Sequence, residues 1–97
     1  MIFEWDEAKN RANIRKHGLD FADAEEMFRG ILLVDPDVRK DYEERRWIGT
    51  GTVRGRTAVV VFVERSPEVI RIISLRKATS RERERYEKAV QDELDTG

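Results

Sequence analysis

The chain has 97 residues, enough for one compact core and too few for two, so a single domain over residues 1–97 is expected. It holds no cysteine, which removes disulfides and thiolate metal sites. No apolar run reaches membrane-spanning length, and acids stand in the first ten residues where a secretion signal needs bases, so no membrane contact and a cytoplasmic location are expected. With 40% charged residues and a net charge of −1, the molecule as a whole exerts no pull on a polyanion. From Gly51 to Lys77, however, six bases against two acids leave +4, a local strip able to hold one.

In chain order, Ile2 to Glu4 is a candidate short strand. Asp6 stands as an N-cap and Gly18 as a stop, which predicts a first helix over residues 7–17. Asp20 caps a second helix whose apolar face carries Phe21, Ala24, Met27 and Phe28 and which ends at Gly30. Ile31 to Val34 reads as a strand closed by Asp35-Pro36-Asp37, and the polar stretch to Glu44 reads as a mobile connection. Arg46 to Val53 has strand character, with Gly49 and Gly51 marking a bulge or a close approach. Thr57 to Val63 is nearly all apolar, as a central strand covered on both faces should be. Arg54-Gly55 between them suits a two-residue hairpin loop; counting back from it sets Arg45 opposite Glu64. In the last strand, Val69 to Leu75, strict alternation points Val69, Arg71, Ile73 and Leu75 one way and Ile70, Ile72, Ser74 and Arg76 the other. Thr79-Ser80-Arg81-Glu82 is a capping box opening a final helix, with Tyr86, Ala89, Val90 and Leu94 as its apolar stripe. The order predicts an α+β domain of two N-terminal helices, a four-stranded, mainly antiparallel sheet and a C-terminal helix.

Metal-free RNA cleavage is one chemistry the bases could serve, although arginines at strand ends also snorkel or pair with acids. In that reaction the 2'-hydroxyl attacks the adjacent phosphate, cations stabilise charge on the phosphoryl oxygens, and a proton-transfer group stands near each reacting oxygen. Arg71 and Arg76, with Lys77 just beyond, offer fixed cations on a rigid strand. His17 is the only histidine, and imidazole is the side chain suited to proton exchange near neutrality; as the end of a helix, Lys16-His17-Gly18 has an ordinary structural reading too. Lys9, Asn13 and His17 lie four apart on one helical face and could frame a site. Tyr86 is either core, a base-stacking ring or a proton donor. Trp5 and Trp47 read as packing anchors. No phosphate-binding glycine loop, Ser-His-Asp ordering or HExxH spacing occurs, and neither a metal nor another cofactor is signalled.

Phe3-Glu4-Trp5-Asp6, followed by Lys9, Asn13, Lys16-His17-Gly18, Phe21, Ala24 and Phe28, resembles the N-terminal signature of BrnT toxins. Arg71-Ile72-Ile73-Ser74-Leu75-Arg76-Lys77-Ala78, followed by Glu82 and Tyr86, resembles their second motif. With Glu44-Arg45 and Ile48-Gly49 between them the resemblance spans nearly the whole chain, departing at Leu75, where the family has a small Ala. It implies a RelE-like fold, a ribonuclease that inhibits translation, and neutralisation by a BrnA-type antitoxin that also represses the operon, so that operator DNA is met only through the antitoxin. A homodimer and a toxin–antitoxin hetero-oligomer both remain open. The resemblance also draws His17, Arg71, Arg76 and Tyr86 into one catalytic site. Arg71 and Arg76 then stabilise phosphate, His17 or Tyr86 transfers protons, and Lys9, Lys16, Arg45 and Lys77 bind RNA. The competing reading is a non-catalytic module whose exposed bases only dock nucleic acid or an acidic partner segment.

Overall fold

The structure is a computed structural model and describes residues 1–96. Its elements are β1 (Ile2–Glu4), α1 (Glu7–His17), one turn of 3-10 helix (Phe21–Asp23), α2 (Ala24–Arg29), β2 (Leu33–Pro36), β3 (Trp47–Val53), β4 (Arg56–Ser66), β5 (Val69–Lys77) and α3 (Ser80–Thr96). The sheet has five strands in the order β1-β5-β4-β3-β2. The expected four-stranded sheet is corrected by β1, which pairs parallel to β5 from Ile2 opposite Val69 to Glu4 opposite Arg71, making the sheet mixed. The other pairings are antiparallel.

Local signals explain most boundaries. The Asp6 carboxylate accepts from the Lys9 N–H at 3.1 Å, and Gly18, at φ +70°, closes α1 by donating to the Ile14 carbonyl, a left-handed stop that glycine adopts without strain. Asp20 caps as expected, through the Ala22 N–H at 2.9 Å, but what it caps is the 3-10 turn ahead of α2. The β3–β4 hairpin has the two-residue loop Arg54-Gly55, both at positive φ, the geometry whose twist matches the flanking strands. Its register runs from Val53 opposite Arg56 to Trp47 opposite Phe62. The ladder stops there, so Arg45 does not extend it to Glu64. The Arg45 guanidinium lies 5.2 Å over the Trp47 ring instead. β2 begins two residues later than expected, with Leu33 opposite Thr50. The glycines of β3 mark a close approach: a Cβ on Gly49 would meet the Leu32 side chain at 3.0 Å.

β4 is buried on both faces, as its composition foretold. Ala58, Val60 and Phe62 join Phe21, Ala24, Met27, Ile70, Ile72 and Leu75 in the core beneath the 3-10 turn and α2, while Val59, Val61 and Val63 are buried on the other face. Strict alternation fails in β5. Val61 pairs with Ser74 but Phe62 pairs with Ile72, leaving Ile73 unpaired in a bulge. The bulge reverses the faces after it, so Leu75 turns into the core beside Ile70 and Ile72. Arg71, Ser74 and Arg76, the partners of Val63, Val61 and Val59, all take the opposite face. α3 spans that face: Glu82 reaches Arg76 and Arg85 reaches Asp35.

α1 meets the sheet through polar groups. Its buried residues are Asn10 and Asn13. β1 covers only the first part of the β5 edge, and Asn13 closes it further along, accepting from the Leu75 N–H at 3.2 Å and donating to the Leu75 carbonyl at 2.8 Å and the Leu19 carbonyl at 2.9 Å. The side-chain amide thus stands in for the next residue of an edge strand. Asn10 accepts from the Phe21 N–H and donates to Asp20. Of the stripe that could have framed a site, Asn13 is part of the seam joining α1 to the sheet, and Lys9 is exposed. No helix among the described residues is long and apolar enough to cross a membrane.

Candidate functional site

The bulge in β5 decides what shares a face. Arg71 and Arg76 lie on one side of the strand, where alternation alone would have separated them. With Ile73 pinched out, four strand steps at about 3.3 Å set their Cα atoms about 13 Å apart. Each is turned to its own acid. Arg71 binds Glu4 at 3.2 Å, tying β5 to β1. Arg76 meets Glu82 with both terminal nitrogens, at 2.8 and 2.9 Å, the paired fork geometry that fixes a guanidinium best. Glu82 also accepts from the Thr79 N–H, and its own N–H donates to the Thr79 hydroxyl oxygen, so the capping box and the ion pair are one network. The hydrogen bonds from Arg76, then that from Thr79, hold the Glu82 carboxyl down at about 2; the same pairing raises Arg76. The Arg76 side chain remains about 36% exposed, so the guanidinium is preoriented and still reachable.

His17 ends α1 and shares the Asn13 face one turn further on. One helical turn and two strand residues cover similar lengths, so His17 stands level with Lys77, and Gly18 and Leu19 share a cleft with Lys77. His17 is half-buried, and its side chain makes no hydrogen bond or ion pair among the described residues. The end of α1, with His17 and exposed Lys16, therefore lies toward the Lys77 end of β5, and Arg76 faces the other side of the sheet from Lys77. Tyr86 is buried and its hydroxyl donates to the Ile31 carbonyl at 2.6 Å, fastening α3 to the segment before β2.

A profile of the ribonuclease toxin BrnT of type II toxin–antitoxin systems matches residues 5–82. The chain belongs to the BrnT family. A crystal structure of the BrnT ribonuclease toxin of Brucella abortus superposes with a TM-score of 0.65 at 32% identity, covering 82% of this chain and 100% of that one. No curated protein matches the chain. This BrnT-family chain is thus a ribonuclease toxin of a type II toxin–antitoxin system, and its three helices and five-stranded mixed sheet are the BrnT fold.

Of the residues singled out from the BrnT motifs, Lys16 and His17 end α1 just before Gly18 and Leu19, which share a cleft with Lys77, while Arg76 takes the opposite face of the sheet from Lys77. The structure leaves Arg71 along the strand, Arg45 at the opposite end beside Trp47, Lys9 exposed near the start of α1 and Tyr86 inside. Two groups escaped the sequence. Arg54 and Arg56 at the hairpin line the cleft beside Lys77; counting charge found the strip but not its fold. The stretch read as a mobile connection carries local ties of its own. The buried Asp37 carboxylate takes a fork from Arg39 at 2.8 Å for each bond, which holds its carboxyl at about 2, and the Arg46 guanidinium lies 4.1 Å over the Tyr42 ring. Asp37 and Arg39 are two apart in a polar run, a spacing that carries no signal of its own. Among the described residues no group of three or more His, Cys, Asp or Glu side chains is placed to hold a metal ion.

Proposed function

We propose that this BrnT-family toxin is an endoribonuclease that cuts RNA by attack of the 2'-hydroxyl on the adjacent phosphorus, with protein cations rather than a metal stabilising the phosphoryl charge. The observation that carries the reading is the Arg76 fork: a guanidinium fixed by Glu82 and the capping box and still about 36% exposed. In the attack the P–O2' bond forms and the P–O5' bond breaks. The 2'-hydroxyl proton goes to His17, and the 5'-oxygen leaves with a proton from the same imidazole or from water. Charge building on the non-bridging oxygens meets Arg76, whose donors need no reorganisation. The products are a 2',3'-cyclic phosphate and a 5'-hydroxyl. Lys16 and Lys77 steer the strand, with Arg71, Lys9 and Arg45 further along it. Tyr86, its hydroxyl engaged at Ile31, holds α3 and hence Glu82 in place.

The wider reading includes a RelE-like use of sheet and last helix, inhibition of translation in the cytoplasm, and neutralisation by a BrnA-type antitoxin through which alone operator DNA is met. Purified protein incubated with RNA in excess EDTA tests the chemistry. The expected products carry 2',3'-cyclic phosphate ends. Activity restored only by magnesium or manganese overturns the metal-free step, and 3'-hydroxyl ends overturn the 2'-hydroxyl attack.

A further inference from the structure

A cleft of about 390 Å³ lies between the end of α1 and the β3–β4 hairpin. Leu19, Val53 and Ala58 give it an apolar floor, and Arg54, Arg56 and Lys77 stand at its rim. It opens on the core-helix side of the sheet, because Lys77 pairs with Ala58, whose side chain is in the core. Arg76, one residue earlier, faces the other way. Arg56 stands two residues before Ala58 on the same face and is therefore a diagonal neighbour of Lys77, with Cα atoms about 7–8 Å apart. Two long cationic side chains at that separation reach the oxygens of one phosphate.

Among the described residues no acid pairs with Arg56 or Lys77. Arg54 is held by Asp23 at 3.1 Å, and its backbone N–H by Glu26. Neither Arg56 nor Lys77 has an ion pair or side-chain hydrogen bond among the described residues. Like charges side by side on a sheet destabilise it, and elsewhere this chain joins arginines to acids, as at Glu4, Asp35, Asp37 and Glu82. An unmatched cation pair over an apolar floor, in a space fit for one small ligand, suits a nucleotide: phosphate on the cations, ribose and base on Leu19, Val53 and Ala58.

We propose that this cleft binds one nucleotide of single-stranded RNA, its phosphodiester held by Arg56 and Lys77, adjacent to the phosphate that meets Arg76. The strand passes over the end of β5, from the α3 face to the core-helix face. The proposal rests on the ribonuclease reading for its ligand, and it adds residues that determine how far along the strand the protein grips. An acidic protein segment is the other polyanion that cations attract, but it has no use for a nucleotide-sized apolar floor.

The test is binding of a short, fully 2'-O-methylated RNA, which cannot undergo 2'-hydroxyl attack, followed by fluorescence anisotropy across a range of KCl concentrations. The double variant Arg56→Gln/Lys77→Gln is expected to bind about tenfold more weakly and to lose about 0.7 from the slope of log K against log salt, the value for one phosphate contact on a single strand. Arg56→Lys/Lys77→Arg is expected to restore the slope. Both positions are exposed, and circular dichroism checks that each variant is folded. An unchanged slope in the folded double variant overturns the proposal, as does unchanged RNA binding with weakened binding of poly-L-glutamate. Cleavage of ordinary RNA is followed in parallel. A wild type that binds the methylated probe with the expected slope loss in the variant, yet cuts nothing, sinks the ribonuclease reading and leaves the cleft standing. Cleavage with an unresponsive slope removes the cleft alone.

Discussion

Asn13→Ala is the substitution that bears most directly on how the sheet is finished at its helical edge. The amide makes three hydrogen bonds, two to Leu75 and one to Leu19, at a site only 8% exposed. At about 1 kcal/mol for each bond, the loss comes to about 3 kcal/mol, and the orphaned backbone groups on β5 make relief by water poor. For a chain of this length that corresponds to a fall in Tm of about 12 to 24 °C. Urea and thermal unfolding followed by tryptophan fluorescence and circular dichroism measure it. Lys9→Ala, on the same stripe but exposed, is the control and should change stability by less than about 0.5 kcal/mol. A loss below about 1 kcal/mol at Asn13, or equal losses at the two positions, refutes the idea that this side chain replaces an edge strand.

Arg76→Ala should lower turnover about a hundredfold or more, as loss of a preorganised donor does. Arg83→Ala, whose pairing with Glu87 at 3.7 Å is exposed, should cost on the order of 0.5 kcal/mol or less. Steady-state cleavage rates on variants shown to be folded decide this, and near-full activity in folded Arg76→Ala removes it from the site. The carboxyls of Glu82 and Asp37 are both held near 2, below their ordinary 4.5 and 3.8. Their contribution to stability is therefore complete above those ordinary values and is lost as pH falls toward 2. The urea midpoint should drop across that window, less steeply in Glu82→Gln, and a flat profile in the wild type contradicts the pairing.

Much of the fold was legible because its signals are local. Asp6 and Gly18 bounded α1, Thr79 and Glu82 announced α3, and Arg54-Gly55 set the register of the central hairpin. What escaped depends on contacts between distant segments. A three-residue β1 has too little pattern to announce a parallel partner, and its pairing with β5 turned an antiparallel sheet into a mixed one. The bulge at Ile73 leaves no mark in an apolar strand, yet it reverses the faces of Leu75 and Arg76 and brings Arg76 onto the side of Arg71. The site was legible in kind rather than in arrangement. Of the four residues the BrnT motifs drew into one site, Arg71 and Arg76 share a face of β5 and Tyr86 lies inside, and in the stripe through Lys9, Asn13 and His17 it is Asn13 that forms the seam with the sheet. Tyr86 could be read as core or chemistry, and its hydroxyl goes to a backbone carbonyl at Ile31. Arg56 was visible as charge only, since its place beside Lys77 exists only once β4 and β5 are paired.

Inducible expression of this chain in a bacterial host, with and without the small neighbouring reading frame, tests the ribonuclease-toxin reading most directly when growth and total RNA are followed together. Growth arrest accompanied by shortened RNA is expected from the chain alone, both reversed by the neighbouring product and both absent in Arg76→Ala. Arrest with intact RNA contradicts the nuclease, and growth unaffected by a folded, expressed protein contradicts the toxin.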